Sequence, residues 1–291
     1  MIILKVVFVA IIFLLVLWKL EEIYEVLHGF KSKLIEIYNR MNTKQARLEE
    51  WKHLSFEDNH SWCHKENMIA HACGGNIRLN YTNSKEALEQ ALCDGFRVVE
   101  VDVRLTQDGE LVCTHDFPIG TMMTREQFLA TKVDKRYSPM DIRECFLIGG
   151  DEKVTYIIDT KSRADLPNVV NKLESLCDEQ GLSKDQLVIQ IAYEDELVYT
   201  KNFSVLYNLT FTEDYERVAA FCLLHNIRAV SISGLNIRKD LGWKVLLQHN
   251  IKIFVHTINS LIEYEELRGL GITGVFTDYL IPADLNVVDS L

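Results

Sequence analysis

Short apolar runs alternate with longer helical patterns from about residue 67 to the end of the sequence, and this alternation constrains the fold more than any other feature. Eight runs rich in β-branched and aromatic residues are strand candidates. They cover residues 67–71, 97–104, 155–160, 187–191, 204–209, 229–232, 251–256 and 274–277. Eight strands with intervening helices predict an α/β protein built as a single (β/α)8 TIM barrel.

The predicted helices cover residues 84–93, 166–179, 195–201, 214–225, 237–249 and 261–267. Asn83 is a good N-cap for the first of them. Asp108-Gly109 predicts a tight turn, after which residues 110–114 return towards His115. A doubly wound sheet is the alternative fold, but it would carry a glycine-rich phosphate loop after the first strand. His71-Ala-Cys-Gly74-Gly75 does not fit that pattern, so the barrel is favoured.

The N-terminal residues differ in kind, because residues 2–18 are apolar except for Lys5. This is about the minimum length for a helix that spans a bilayer. We therefore expect a single-pass membrane anchor at 1–19, a juxtamembrane helical stalk at 20–60 and the barrel at 61–291. A short helix lying in the membrane interface is the alternative. Flanking charges fix the orientation poorly, and substrate chemistry favours an extracytoplasmic barrel.

Overall charge and cysteine content exclude some kinds of site. The formal net charge of −11 opposes binding to nucleic acid, which is itself a polyanion. The seven cysteines form no CxxC pair and have no spacing typical of zinc sites. Most lie in apolar stretches, where we expect them to be buried as small hydrophobic side chains.

Glu100 and Asp102 lie two residues apart in a strand-like run, so their carboxylates share one face. A solvated strand face is the simpler interpretation. However, Val99, Val101 and Val103 make the opposite face apolar, which turns the acids towards the barrel interior. Buried acids are costly unless they are protonated or neutralised by a cation. Oxygen ligands of this kind suit a hard divalent cation.

Two histidines accompany these acids. His71 ends the first predicted strand, and His115-Asp116 follows the return from the Asp108-Gly109 turn. Asp159 and Lys161 end the third strand. Active-site residues of TIM barrels gather at the C-terminal ends of the strands, so we expect all of these side chains at one rim. Two histidines beside a cation suit acid–base chemistry on a phosphodiester.

The order of these motifs resembles glycerophosphodiester phosphodiesterases. The resemblance rests on Ile-Ala-His71, Tyr81-Thr-Asn-Ser84, Glu100-x-Asp102, Thr106-x-Asp108-Gly109, His115-Asp116, Asp159-Thr-Lys161, His256-Thr-Ile-Asn259 and Thr277-Asp278. It runs from about residue 67 to residue 282. This family consists of TIM barrels that cleave glycerophosphodiesters with a bound divalent cation.

The resemblance implies a role for each matching residue. His71 and His115 correspond to the catalytic histidines. Glu100 and Asp102 correspond to metal ligands, with Asp159 at the position of a third, for Ca²⁺ or Mg²⁺. The family usually has arginine after the first histidine, where this chain has Ala72.

That departure bears on phosphate binding, because the family's arginine helps to hold the phosphate. Lys161 or Arg104 would have to replace it. His256 ends a strand and is expected to line the pocket. Asp278 is expected to be structural, and Lys161 has an ion pair with Asp159 or Glu100 as its alternative role.

These features predict a metal-dependent phosphoric diester hydrolase that uses two histidines. Its substrate would be a small-molecule phosphodiester, a lipid head group or an envelope polymer. One alternative is a phospholipase or lyase that releases a cyclic phosphate. The other is a non-catalytic barrel that binds phospholipid or phosphosugar.

Overall fold

The computed structural model describes residues 62–65, 68–75, 81–116, 123–150, 154–201, 203–239 and 241–283. The expected membrane anchor (1–19) and stalk (20–60) lie outside the described residues. Within those ranges, no helix combines the length and the apolar character that crossing a bilayer requires.

The described residues form a closed barrel of eight parallel strands, as the sequence predicts. Nine strands are described, namely the eight parallel strands and one short antiparallel strand, β3. They are β1 (Met68–Ala70), β2 (Val98–Leu105), β3 (Leu111–Cys113), β4 (Thr155–Thr160), β5 (Leu187–Ile191), β6 (Ser204–Asn208), β7 (Ala229–Ser233), β8 (Lys252–His256) and β9 (Gly274–Thr277). β1 pairs with both β9 and β2, which closes the barrel. β3 is the exception, because it runs antiparallel along the C-terminal part of β2.

Nine helices are described around the strands. They are α1 (Trp62–Lys65), α2 (Lys85–Cys93), α3 (Arg125–Leu129), α4 (Ile142–Gly149), α5 (Leu166–Gln180), α6 (Tyr215–Leu224), α7 (Gly234–Lys239), α8 (Lys244–Gln248) and α9 (Leu261–Gly269). Single 3₁₀ segments cover His71–Cys73, Arg163–Asp165, Lys184–Gln186 and Glu194–Tyr199.

Three helix predictions need correction. The expected helix at 237–249 is two short helices, because Trp243 is fully buried between them and its indole N–H donates to the Ile237 carbonyl at 3.0 Å. The expected helix at 195–201 is the 3₁₀ segment Glu194–Tyr199. The N-cap of α2 is Ser84, whose hydroxyl accepts from the Ala87 amide, and not Asn83.

The lower part of the barrel interior is filled with apolar side chains. One residue from each parallel strand contributes, namely Ile69, Val98, Ile157, Val188, Leu206, Ala229, Phe254 and Phe276. Trp62 joins them and stacks on Phe254 with ring centroids 5.6 Å apart. Because Val98 and Ala229 begin their strands, this packing lies at the N-terminal end. Glu100 and Asp102 follow Val98 on β2 and therefore lie nearer the C-terminal end of the barrel than this packing does.

Six of the seven cysteines are buried and none is in a disulfide among the described residues. The expectation that they act mainly as small buried hydrophobic side chains is confirmed, with Cys93 as the exposed exception.

Candidate active site

Three carboxylates meet inside the C-terminal end of the barrel. Glu100 and Asp102 lie on β2, and Asp159 on β4 is the register partner of Asp102. One oxygen from each of the three lies within 4.8 Å of the others. Glu100 and Asp102 are only 2% and 0% exposed, so the interpretation of a solvated strand face is wrong. The arrangement has the ligand atoms that a hard divalent cation prefers.

Lys161 follows β4 and contacts two of these acids. Its Nζ lies 2.5 Å from Asp102 Oδ1 and 2.5 Å from Asp159 Oδ2. Burial disfavours the ammonium, but Asp159, Asp102 and Glu100 outweigh burial and raise the pKa of Lys161. Lys161 is therefore a fixed positive charge at the site. The ion pair expected from the sequence forms with Asp159, and Asp102 takes the place considered for Glu100.

The acids do not share this charge equally. Burial raises the pKa of Glu100 well above its usual range, and the neighbouring Asp102 and Asp159 raise it further. Burial acts the same way on Asp102, but the Lys161 ammonium and the Asn83 amide outweigh it, so the pKa of Asp102 is lowered. The Asp102 Oδ1 atom is buried, and it contacts the Lys161 ammonium. One lysine thus leaves negative charge at the cluster that a divalent cation would balance, and the donor set fits such an ion.

The loop after β1 holds the carboxylates through its backbone. Ala72 (φ 48°) donates its backbone N–H to Glu100 Oε2 at 2.6 Å. The Ala72 carbonyl accepts a hydrogen bond from the backbone N–H of Asn83 at 3.2 Å. Asn83 donates Nδ2 to Asp102 Oδ2 at 2.7 Å and accepts from the Asp102 N–H at 3.0 Å. Asn83 therefore positions a candidate ligand instead of capping a helix. Position 72 contributes a backbone donor here.

His71 is oriented by Asp278, for which the sequence predicted only a structural role. Its Nδ1 lies 2.9 Å from Asp278 Oδ1, and Asp278 is 4% exposed. Asn259 fixes Asp278 by donating to Oδ2 at 2.9 Å and accepting its N–H at 2.8 Å. The pairing of β9 with β1 brings Asp278 beside His71. Barrel closure was the available signal, because it makes the ends of the first and last strands neighbours.

A glycine permits this approach of the two chain segments. A Cβ atom on Gly75 would lie 2.1 Å from the Asp278 carbonyl oxygen, so a side chain would force the backbone apart.

His115 lies in the loop after β3 and is more exposed. Its Nδ1 is 3.0 Å from Asp116 Oδ1, and its side chain is 38% exposed. Arg104 donates Nε to the His115 carbonyl at 2.9 Å, so this candidate phosphate ligand also fixes the loop.

Tyr81 links the two histidines. In the sequence it is part of the Tyr81-Thr-Asn-Ser84 motif, but no role was predicted for it. Its ring packs edge-to-face against His71 at 4.7 Å and against His115 at 5.4 Å between centroids. It adopts φ 60°, an uncommon conformation for a bulky residue, and is 43% exposed. Nothing in a lone tyrosine of a loop signals this placement.

His256 ends β8 at the same rim, as expected. Burial lowers its pKa to about 4, with His71 and Lys161 adding to the effect. The imidazole is therefore neutral near pH 7 and could meet a substrate as a neutral hydrogen-bonding group.

Comparisons with known proteins give a family match and several structural matches. Residues 72–205 match the model of the Glycerophosphoryl diester phosphodiesterase family. The search of curated proteins gave no match.

Solved structures share the fold. The chain is similar to a glycerophosphodiester phosphodiesterase from Parabacteroides distasonis ATCC 8503, with 16% identity over 77% of this chain and 97% of that chain and a TM-score of 0.64. It is similar to an Oleispira antarctica phosphodiesterase in complex with the product sn-glycerol-3-phosphate, with 16% identity, 78% and 97% coverage and a TM-score of 0.64. For a glycerophosphodiester phosphodiesterase from Thermotoga maritima the values are 21%, 74%, 95% and 0.59.

The chain thus shares the barrel fold of these structures. The match of residues 72–205 to the glycerophosphoryl diester phosphodiesterase family model confirms the resemblance seen in the sequence. The matched segment contains Glu100, Asp102, His115, Asp159 and Lys161. The family match also supports the expected enzyme class, a phosphoric diester hydrolase.

The lowered pKa of His256 predicts a dependence of stability on pH. The unfolded chain takes up a proton at this histidine near pH 6.5, whereas the folded chain does so near pH 4. The free energy of unfolding therefore falls as the pH falls from about 6.5 to 4, by about 3 kcal/mol in total. His256→Gln should lose less stability than the wild type over this window.

Urea denaturation of both proteins between pH 7 and pH 4, in the presence of a chelator, measures the difference. His225→Gln, at an exposed position, is the matched control. Parallel stability curves for wild type and His256→Gln would show that burial of His256 does not suppress its protonation.

Proposed function

We propose that this chain is a divalent-metal-dependent phosphodiesterase that hydrolyses a glycerophosphodiester-type bond, with His71 and His115 as its acid–base pair. The observation that carries the proposal is the cluster of Glu100, Asp102 and Asp159 at the same barrel end as the His71–Asp278 pair. Acid–base groups beside a cation site suit displacement at phosphorus.

Glu100, Asp102 and Asp159 would hold the cation, either Ca²⁺ or Mg²⁺. When bound, such an ion neutralises phosphate charge and lowers the pKa of a nearby hydroxyl. The Lys161 ammonium would bind a phosphate oxygen from the same side, which adds positive charge without a bidentate contact. Arg104 and His256 are the further candidates for phosphate or substrate contact.

His71 is proposed as the general acid. The buried Asp278 carboxylate at Nδ1 orients the ring and leaves Nε2 as the nitrogen that would donate a proton to the leaving alkoxide.

His115 is proposed as the general base. Its exposed ring can take the proton from the attacking hydroxyl and pass it to solvent. Arg104 keeps the His115 backbone in place, and the Tyr81 ring lies between the two histidines. This placement would keep the acid and the base on separate sides of the phosphate.

The nucleophile is water in this proposal. If the adjacent alcohol of the substrate attacks instead, a cyclic phosphate forms first, as in the lyase alternative. Phosphorus NMR of the products distinguishes the two, because a persistent cyclic phosphate would identify a lyase.

Replacing His115 with alanine should lower the turnover rate for glycerophosphocholine and for bis(p-nitrophenyl) phosphate about 100-fold or more. This is the usual contribution of one general base. The ring is partly exposed and lies in a loop, so the fold should persist. Initial rates with Ca²⁺, Mg²⁺ or chelator, together with circular dichroism spectra, measure both effects.

His225→Ala is the control, since this exposed histidine lies on the outer surface after α6. A near-normal rate in His115→Ala would remove His115 from the mechanism. Folded wild-type protein that turns over neither substrate with any cation would favour a non-catalytic binding barrel.

The membrane anchor at 1–19, the helical stalk at 20–60 and an extracytoplasmic barrel remain proposals that rest on the sequence. An anchored phosphodiesterase suits lipid head groups or envelope polymers as substrates. C-terminal fusions to alkaline phosphatase, which is active only outside the cytoplasm, should be active in membrane fractions. Activity of a cytoplasm-specific reporter instead would place the barrel inside.

A further inference from the structure

A cavity of about 320 Å³ adjoins the carboxylate cluster at Asp159 and Lys161. It opens at the C-terminal ends of β4, β5 and β6, and Asp159 and Lys161 form part of its wall. A group bound there would lie next to a phosphate held by Lys161. The cavity is therefore placed to receive one of the two alcohol groups of a phosphodiester.

Two aromatic rings form one side of this cavity. Tyr193 and Phe211 are stacked with centroids 5.5 Å apart and planes 6° from parallel. Phe211 stacks on Tyr193, and the Arg163 guanidinium lies over the Tyr193 ring as well. The outer face of Phe211, which is 67% exposed, is therefore the aromatic surface that the described chain leaves uncovered. A flat aromatic surface of this kind packs well against the C–H face of a ring.

Neutral polar groups form the opposite lining. The Gln190 side chain has no hydrogen-bond partner in the described part of the chain. Asn208 uses its Oδ1 to accept from the Thr210 N–H and hydroxyl at 3.0 and 2.6 Å, which leaves its amide nitrogen as a donor. Such unpaired amide groups suit a ligand that carries several hydroxyl groups.

The charged groups of the cavity are already paired. Lys161 is paired with Asp159, and Arg163 is paired with Asp195 and lies 3.4 Å from Glu196. The Arg163 guanidinium also lies 4.5 Å from the centre of the Tyr193 ring. The positive charge of Arg163 beside the aromatic pair disfavours a cationic alcohol such as choline. An acyl chain would leave the amides unpaired.

We propose that this cavity is the subsite for one alcohol of the substrate and that it takes a neutral cyclic polyol, an inositol or a sugar ring. The ring would stack on the outer face of Phe211, which Tyr193 supports from behind, and its hydroxyls would bind Gln190 and Asn208. The inference rests on the proposed phosphodiesterase function and specifies its substrate class.

The test compares kcat/KM of the full chain for glycerophosphoinositol, glycerophosphoglucose, glycerophosphoglycerol and glycerophosphocholine. A cyclic polyol should be preferred over glycerol and choline. Phe211→Ala should lower the preference for the ring over glycerol about tenfold, mainly through KM, because it removes the stacking surface. Tyr193→Ala should lower the preference as well, because it removes the ring that holds Phe211 in place. The two ring substrates separate an inositol site from a sugar site.

Tyr199→Ala is the matched control, since this tyrosine is 44% exposed on the same 3₁₀ segment but does not line the cavity. It should leave the preference unchanged. A wild type that prefers choline, or cavity variants with an unchanged preference, would overturn the subsite.

Absence of turnover with all four substrates would count against the proposed function alone. The subsite is then judged by saturation-transfer NMR with glycerophosphoinositol, which needs no reaction. Transfer to the ring protons that disappears in Phe211→Ala supports it, and no transfer in the wild type contradicts it.

Discussion

The site depends on three carboxylates forced together inside a barrel. Pairing of β2 with β4 aligns Asp102 with Asp159, and the two-residue repeat of a strand adds Glu100 to the same face. Like charges in a buried place are tolerated only with compensation. Lys161, the Asn83 amide and the Ala72 N–H supply part of it. A divalent cation bound by the three carboxylates would balance the remaining negative charge of the cluster.

The surrounding structure serves this cluster. Apolar packing around Trp62 fills the N-terminal end of the barrel, and the three carboxylates lie nearer its C-terminal end. The loop after β1 then turns back through residues with positive φ, among them Ala72, Cys73 and Asn83. Such conformations cost free energy and concentrate at functional sites. Here they direct backbone and side-chain donors at Glu100 and Asp102.

Much of this could be predicted because it follows local patterns. Alternation of residues gave the strands and put Glu100 and Asp102 on one face, and strand ends gave the rim that holds His71, Lys161 and His256. The contributions of Asp278, Tyr81 and Asn83 could not be predicted in the same way. They depend on barrel closure and on a loop with positive φ, and neither leaves a periodic signal. Asn83 also fits the sequence pattern of a helix N-cap. The sequence therefore predicted that local role and not its hydrogen bond to Asp102.

The most direct test of the account is calorimetric titration of the chelator-treated full chain with Ca²⁺ and with Mg²⁺. The account predicts one site per chain for at least one of these ions. Glu100→Gln should abolish that binding, whereas Glu110→Gln, which changes an acid paired with Lys172 outside the cluster, should retain it. Binding of neither ion by folded wild type, or equal binding by Glu100→Gln, would contradict a metal site built on these carboxylates.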